Sequence, residues 1–72
     1  MKEYVLKQGT KFVENYQLVE DENEDGVMET WADIILTSKI ENAWVMDKKE
    51  AMEHKRYLKS HQEVTHLEEL VA

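Results

Sequence analysis

The chain contains no cysteine. Disulfides, thiolate metal sites and a cysteine nucleophile are therefore excluded. Proline is also absent, and glycine occurs only at Gly9 and Gly26. Both glycines fall between alternating runs, where a residue able to reach positive φ suits a turn. No apolar run approaches the roughly 20 residues of a membrane span. Met1-Lys2-Glu3-Tyr4 leads straight into an alternating pattern, so no secretory leader is expected and the setting is read as cytoplasmic. There is no repeat and no low-complexity linker. What remains is 72 residues, 42% apolar and 35% charged, with 16 acidic against 9 basic side chains and a net charge of −7. That is too apolar for a disordered chain and too charged for a membrane protein. A chain of this size buries only about 60% of its unfolded surface and makes one small domain, residues 1–72.

Period-two alternation dominates the first half. Tyr4-Val5-Leu6-Lys7 and Lys11 to Val19 read as two strands joined by a turn near Gln8-Gly9-Thr10. In the second run Phe12, Tyr16 and Leu18 share one face, with Glu14 breaking the pattern. Lys11, Val13, Asn15, Gln17 and Val19 share the other. Glu20-Asp21-Glu22-Asn23-Glu24-Asp25-Gly26 has nothing to bury and ends in the turn dipeptide Asp25-Gly26, so it reads as the tip of a second hairpin. Val27 to Leu36 is the third strand. Its end, Ala32-Asp33-Ile34-Ile35-Leu36, is apolar on both faces except for Asp33, the pattern of a central strand or of one near a dimer contact.

Ser38-Lys39-Ile40-Glu41 has the spacing of a capping box and predicts a single helical turn, followed by a short extended piece at Trp44-Val45-Met46. Asp47-Lys48-Lys49-Glu50 repeats that logic with an Asp cap and predicts a helix over Lys48 to Ser60. Its core stripe is Ala51, His54, Lys55 and Leu58, flanked by Met52 and Tyr57. For the tail two readings stand. Val64, Leu67, Leu70 and Val71 fit a helical face; a final strand over about Glu63 to Leu67 is favoured, because a sheet needs its edge covered. The fold class is α+β, a small antiparallel sheet of three to four strands packed on one helix.

The stretch Ser-Lys-Ile-Glu-Asn-Ala-Trp-Val-Met-Asp-Lys-Lys-Glu-Ala from Ser38 resembles small uncharacterised proteins of Gram-positive phages and prophages. The resemblance is loose over the whole chain and closer over Ile40 to Leu58. It implies a sheet with one helix and a bacterial cytoplasm. It implies no catalytic residues. The chain departs from the pattern at Lys59-Ser60-His61-Gln62, where such proteins often have glycines.

Several patterns could carry chemistry. Asp21, Asn23, Asp25 and Gly26 match positions 1, 3, 5 and 6 of an EF-hand loop, with Glu29 at position 9. Position 12 is Ala32 rather than the bidentate Glu that calcium requires, so Asp21, Asn23, Asp25 and Glu29 make at most a weak calcium site. His54 and His61 would lie about 10 Å apart along a helix, and with His66 they match no metal motif. Ser and Thr are scattered, no Gly-rich phosphate cradle is present and a chain this small has little room for a deep pocket, so no enzymatic activity and no cofactor are expected.

Charge is unevenly placed. Residues 20–47 sum to −8, whereas 48–59 sum to +3. That field opposes nucleic acid over most of the surface. The reading is a non-enzymatic interaction module, phage- or prophage-encoded, that binds a host or phage protein, with an acidic inhibitor of a nucleic-acid-binding protein as a sub-case. The interaction candidates are Glu20, Asp21, Glu22, Glu24, Asp25, Trp31 and Trp44. A weak cation-binding domain and a nucleic-acid binder using Lys48, Lys49, Lys55, Arg56 and Lys59 are the alternatives. A homodimer would cover the apolar strand at 32–36.

Overall fold

A computed structural model describes residues 2–71. Four strands form one antiparallel sheet: β1 (Glu3–Gln8), β2 (Lys11–Glu22), β3 (Met28–Thr37) and β4 (His66–Leu70). A 3-10 turn (Ile40–Asn42) and one helix, α1 (Lys48–Ser60), lie between β3 and β4. The order across the sheet is β3-β2-β1-β4, the small α+β architecture that the alternation predicts. Among the described residues no helix is long and apolar enough to cross a membrane.

β1 and β2 are joined by Gly9-Thr10, with Gly9 at φ +64°. Glycine takes that conformation at no steric cost. The two strands pair only at Lys7–Phe12 and Gln8–Lys11. Beyond that point β2 bends away through a β-bulge between Val13 and Asn15. The extra residue is Glu14, and it reverses the faces read from simple alternation. Val13 joins Tyr16 and Leu18 on the helix side, while Phe12 joins Asn15, Gln17 and Val19 on the other. The gap that opens beside β1 is filled by residues 44–46. Tyr4 and Met46 exchange backbone hydrogen bonds (2.7 and 2.8 Å), and the Trp44 N–H donates to the Val13 carbonyl (3.0 Å). The short extended piece expected there is thus a strand-like plug between β1 and β2.

Asp47 caps α1 as its position predicts, with its Oδ1 accepting from the Glu50 N–H at 2.8 Å. Ser38 does not cap. The 3-10 turn begins after Lys39 with no side-chain cap, and Thr37 Oγ1 instead accepts from the Lys39 N–H at 3.2 Å. A hydroxyl bonding two residues ahead satisfies the backbone locally, which competes with a cap. The tail is a strand, as favoured, but it runs over His66–Leu70 rather than 63–67. Gln62 takes φ +66° just after the helix and turns the chain back; Glu63, Val64 and Thr65 are spent before His66 pairs with β1.

α1 packs over β1 and β4. Leu6, Val13, Ala32, Met46, Ala51 and Leu58 form the buried core, with Tyr4, Tyr16, Ile34, Leu36, Trp44 and Leu67 packed around it. Ala51 and Leu58 are fully buried, while His54 and Lys55 of the expected stripe are only half-buried. β3 is an edge strand, not the central one. Its Asp33 is exposed and Ile35 remains 49% exposed, because no layer covers that face.

Thr65 sits at the entry to β4 with 1% of its surface exposed, and its hydroxyl oxygen has no hydrogen-bond partner. A buried unpaired hydroxyl costs about 1–3 kcal/mol, and an apolar group of the same shape avoids that cost. Thr65→Val is therefore expected to stabilise the fold by about 1 kcal/mol, a rise in melting temperature of about 4–8 °C. A melt that stays the same or falls would show that the hydroxyl is satisfied.

Candidate functional site

The distal part of the β2–β3 hairpin is a two-stranded arm. Past the bulge β2 has only β3 beside it, and α1 lies on the far half of the sheet. The register runs on through Leu18–Ala32, Val19–Trp31, Glu20–Thr30, Asp21–Glu29 and Glu22–Met28. Directly opposed residues share a face. Leu18 and Met28 therefore lie on the helix side, and Val19 and Trp31 on the other. Leu18, Val27, Met28 and Trp31 are all exposed, Met28 and Val27 by more than half.

Glu20, Asp21 and Glu22, expected in a loop, belong to β2. Charged residues carry a strand here because both faces of the arm meet water, so nothing apolar is demanded of them. The turn itself is built by Asn23. Its backbone N–H donates to the Val27 carbonyl (2.9 Å), and its carbonyl accepts from the Gly26 N–H (3.0 Å). Its side-chain Oδ1 accepts from the Asp25 and Val27 N–H groups, both at 3.0 Å, and Nδ2 donates to Glu29 Oε1 at 3.1 Å. Gly26 supplies φ +76°.

That geometry bears on the calcium candidates. The Asn23 amide oxygen carries two hydrogen bonds and has no lone pair left for a cation. Asp21 Oδ1 accepts from the Glu22 N–H at 2.9 Å. Asp21 and Glu29 do face each other across the ladder. Among the described residues no three His, Asp or Glu side chains converge as a metal group. The histidines are dispersed: His54 is on α1, His61 caps its C-terminus and His66 begins β4.

Six of the interaction candidates come together on the arm: Glu20, Asp21, Glu22, Glu24, Asp25 and Trp31. Glu29 and Asp33 add to them, and no lysine or arginine stands between Lys11 and Lys39. The arm is thus an acidic ribbon with apolar side chains set into both faces. Trp44 does not belong to it. Trp44 lies half-buried at the arm's base, its ring 4.5 Å from His54 and 6.1 Å from Tyr16. Leu18 and Met28, by contrast, join the exposed surface unannounced. Alternation places Leu18 with the core residues, and only the position of α1 shows that the core stops short of it.

The arm's base holds a second feature, formed by residues 38 apart in sequence. Tyr16 Oη lies 2.6 Å from His54 Nδ1, with the Tyr57 ring 6.3 Å from that of Tyr16. Burial first, and the neighbouring Tyr57 second, push the Tyr16 phenol above the usual tyrosine range. The Tyr16 hydroxyl and His54 Nδ1 share one hydrogen bond, whose donor is set by the imidazole tautomer. Folding binds the phenol proton more tightly than the unfolded chain does. The associated stability is present below the ordinary tyrosine pKa and is lost as pH climbs through the raised one. In an alkaline ultraviolet titration one of the three tyrosines is expected to ionise late, and Tyr16→Phe to remove that late phase. A late phase that survives in Tyr16→Phe would assign it elsewhere.

No family model, curated protein or solved structure matches this chain.

Proposed function

We propose that the chain is a non-enzymatic protein-interaction module, encoded by a phage or prophage and acting in the cytoplasm, that presents its β2–β3 arm to a basic surface of a host or phage protein. The observation that carries this reading is the uncovered ribbon itself. A two-stranded hairpin without a third layer is marginal in water, and exposed apolar side chains gathered together mark interaction surfaces. Trp31 stands on the ribbon with 41% of its surface exposed, and tryptophan is favoured where binding energy concentrates. The acids around it favour a basic partner and speed encounter. A surface that binds nucleic acid is the commonest strongly basic one, which supports inhibition of a nucleic-acid-binding protein as the specific form.

Affinity capture from a bacterial lysate, comparing the wild-type chain with Trp31→Ala, tests the reading. Basic proteins are expected on the wild-type bait at low salt, with at least tenfold less on Trp31→Ala, the loss of one central anchor worth about 1.4 kcal/mol or more. The circular dichroism and melting of Trp31→Ala should match wild type. Equal capture by both baits, or capture unchanged at high salt, would reject the arm as an electrostatic binding surface.

A further inference from the structure

The cations of α1 line a surface complementary to the arm. Met52, Lys55, Arg56 and Lys59 of α1 border a groove of about 180 Å³ closed by Leu67 of β4. Its apolar floor is Met52 and Leu67, and its rim is three cations. A shallower depression continues along the helix past Lys48 and Lys49, with Glu53 the one acid in its lining. The arm tip has the converse make-up. Val27 and Met28 project between Glu22, Glu24, Asp25 and Glu29, and both are more than half exposed.

Neither set is neutralised among the described residues. Among the described residues the ion pairs are Lys2–Glu69 and Lys7–Glu68, each at 3.7 Å. None of the α1 cations and none of the arm acids takes part. Topology keeps them apart, since the arm extends from the β3 edge of the sheet and α1 covers the β1–β4 half. The long axis of the molecule is 50 Å. A second copy supplies both complements at once. We propose that the arm tip of one copy docks into the basic groove between α1 and β4 of a second copy, Val27 and Met28 on the apolar floor and the tip acids on Lys55, Arg56 and Lys59. With two-fold symmetry each copy gives one arm and receives one, so the contact closes as a dimer. Two chains of −7 repel over long range, but at about 0.1 M salt the screening length is about 10 Å and the close contacts dominate. The proposal stands without the partner-binding reading above, and a dimer would shield the same arm from such a partner.

The test is a charge swap read by mass in sedimentation and light scattering. One variant is Glu22→Lys/Glu24→Lys/Asp25→Lys. The other is Lys55→Glu/Arg56→Glu/Lys59→Glu. The substituted residues are exposed or half-buried, and the folding of each variant is checked by circular dichroism. The wild-type chain is expected to dimerise at moderate salt and to dissociate as salt rises. Each variant alone should associate at least tenfold more weakly. An equimolar mixture of the two should regain the dimer, because each then offers what the other lacks. A wild-type chain that stays monomeric, variants that dimerise like wild type, or a mixture that does not recover would each overturn the proposal. So would a short DNA duplex that binds the wild-type groove while the chain remains monomeric, which would assign the cations to nucleic acid.

Discussion

Leu58→Ala is expected to remove about 2–5 kcal/mol of folding free energy, the largest single loss among exposed and buried positions of α1. Leu58 is fully buried in the cluster that joins α1 to Leu6, Val13 and Met46. Truncation forfeits the transfer energy of three carbons and leaves a cavity that the neighbours fill only in part. A chain of this length has roughly 4–11 kcal/mol of stability at the usual 0.05–0.15 kcal/mol per residue. The variant therefore stands near half-unfolded at modest temperature. In a urea titration the midpoint should fall sharply with little change of slope. Met52→Ala, on the exposed side of the same helix, is the control and should stay within about 0.5 kcal/mol of wild type. Equal losses for the two would mean that α1 does not pack on the sheet as described.

Trp44→Ala is the second large effect, expected at about 2–3 kcal/mol. Burial of a tryptophan is worth more when complete, and Trp44 is half-buried. Its ring holds the arm's base to the helix through His54 at 4.5 Å and Tyr16 at 6.1 Å. The backbone bond from Trp44 to Val13 survives the substitution, so the plug between β1 and β2 remains. The loss should therefore show as faster amide exchange around Tyr16 and Ala32 before global unfolding, with the Tyr16 phenol moving back towards the ordinary tyrosine range. Protection at the arm's base unchanged from wild type would place the anchoring elsewhere. Trp31→Ala, by comparison, should barely move the melt, since that ring supports no core contact. The two tryptophans thus separate folding from recognition.

Much of this architecture is legible in the residues. Asp47 and Glu50 mark the start of α1, the stripe through Ala51 and Leu58 marks its buried side, and Gly9 marks the first turn. Local signals of this kind depend on near neighbours alone. The bulge is harder. Glu14 interrupts an alternation, and a break can be read either as a polar exception or as an inserted residue; only pairing with Leu36 and Ile35 decides. The edge position of β3 was illegible for a related reason. Ile34, Ile35 and Leu36 look doubly buried, but burial depends on where α1 settles, and the short link through residues 38–47 returns it to β1 and β4. The same fact governs the candidate site. Its acids and Trp31 stand out in the sequence, whereas their gathering on a ribbon with no cover follows from the helix position. Ser38 shows the limit of motif spacing, because the 3-10 turn starts one residue later, after Lys39, and the hydroxyl that bonds the local backbone is that of Thr37 to the Lys39 N–H.

The projecting arm also alters how the molecule moves through solvent. A compact chain of 72 residues has a radius of gyration of about 11 Å, whereas this one has 13.8 Å, with principal extents of 50 × 23 × 15 Å. It tumbles as a rod, with slow end-over-end rotation and faster spin about its long axis. Gel filtration calibrated on spheres will overstate the 8.6 kDa monomer, and amide relaxation in the arm will vary with the angle each N–H makes to that axis. An early elution peak is therefore what one copy of this protein should give.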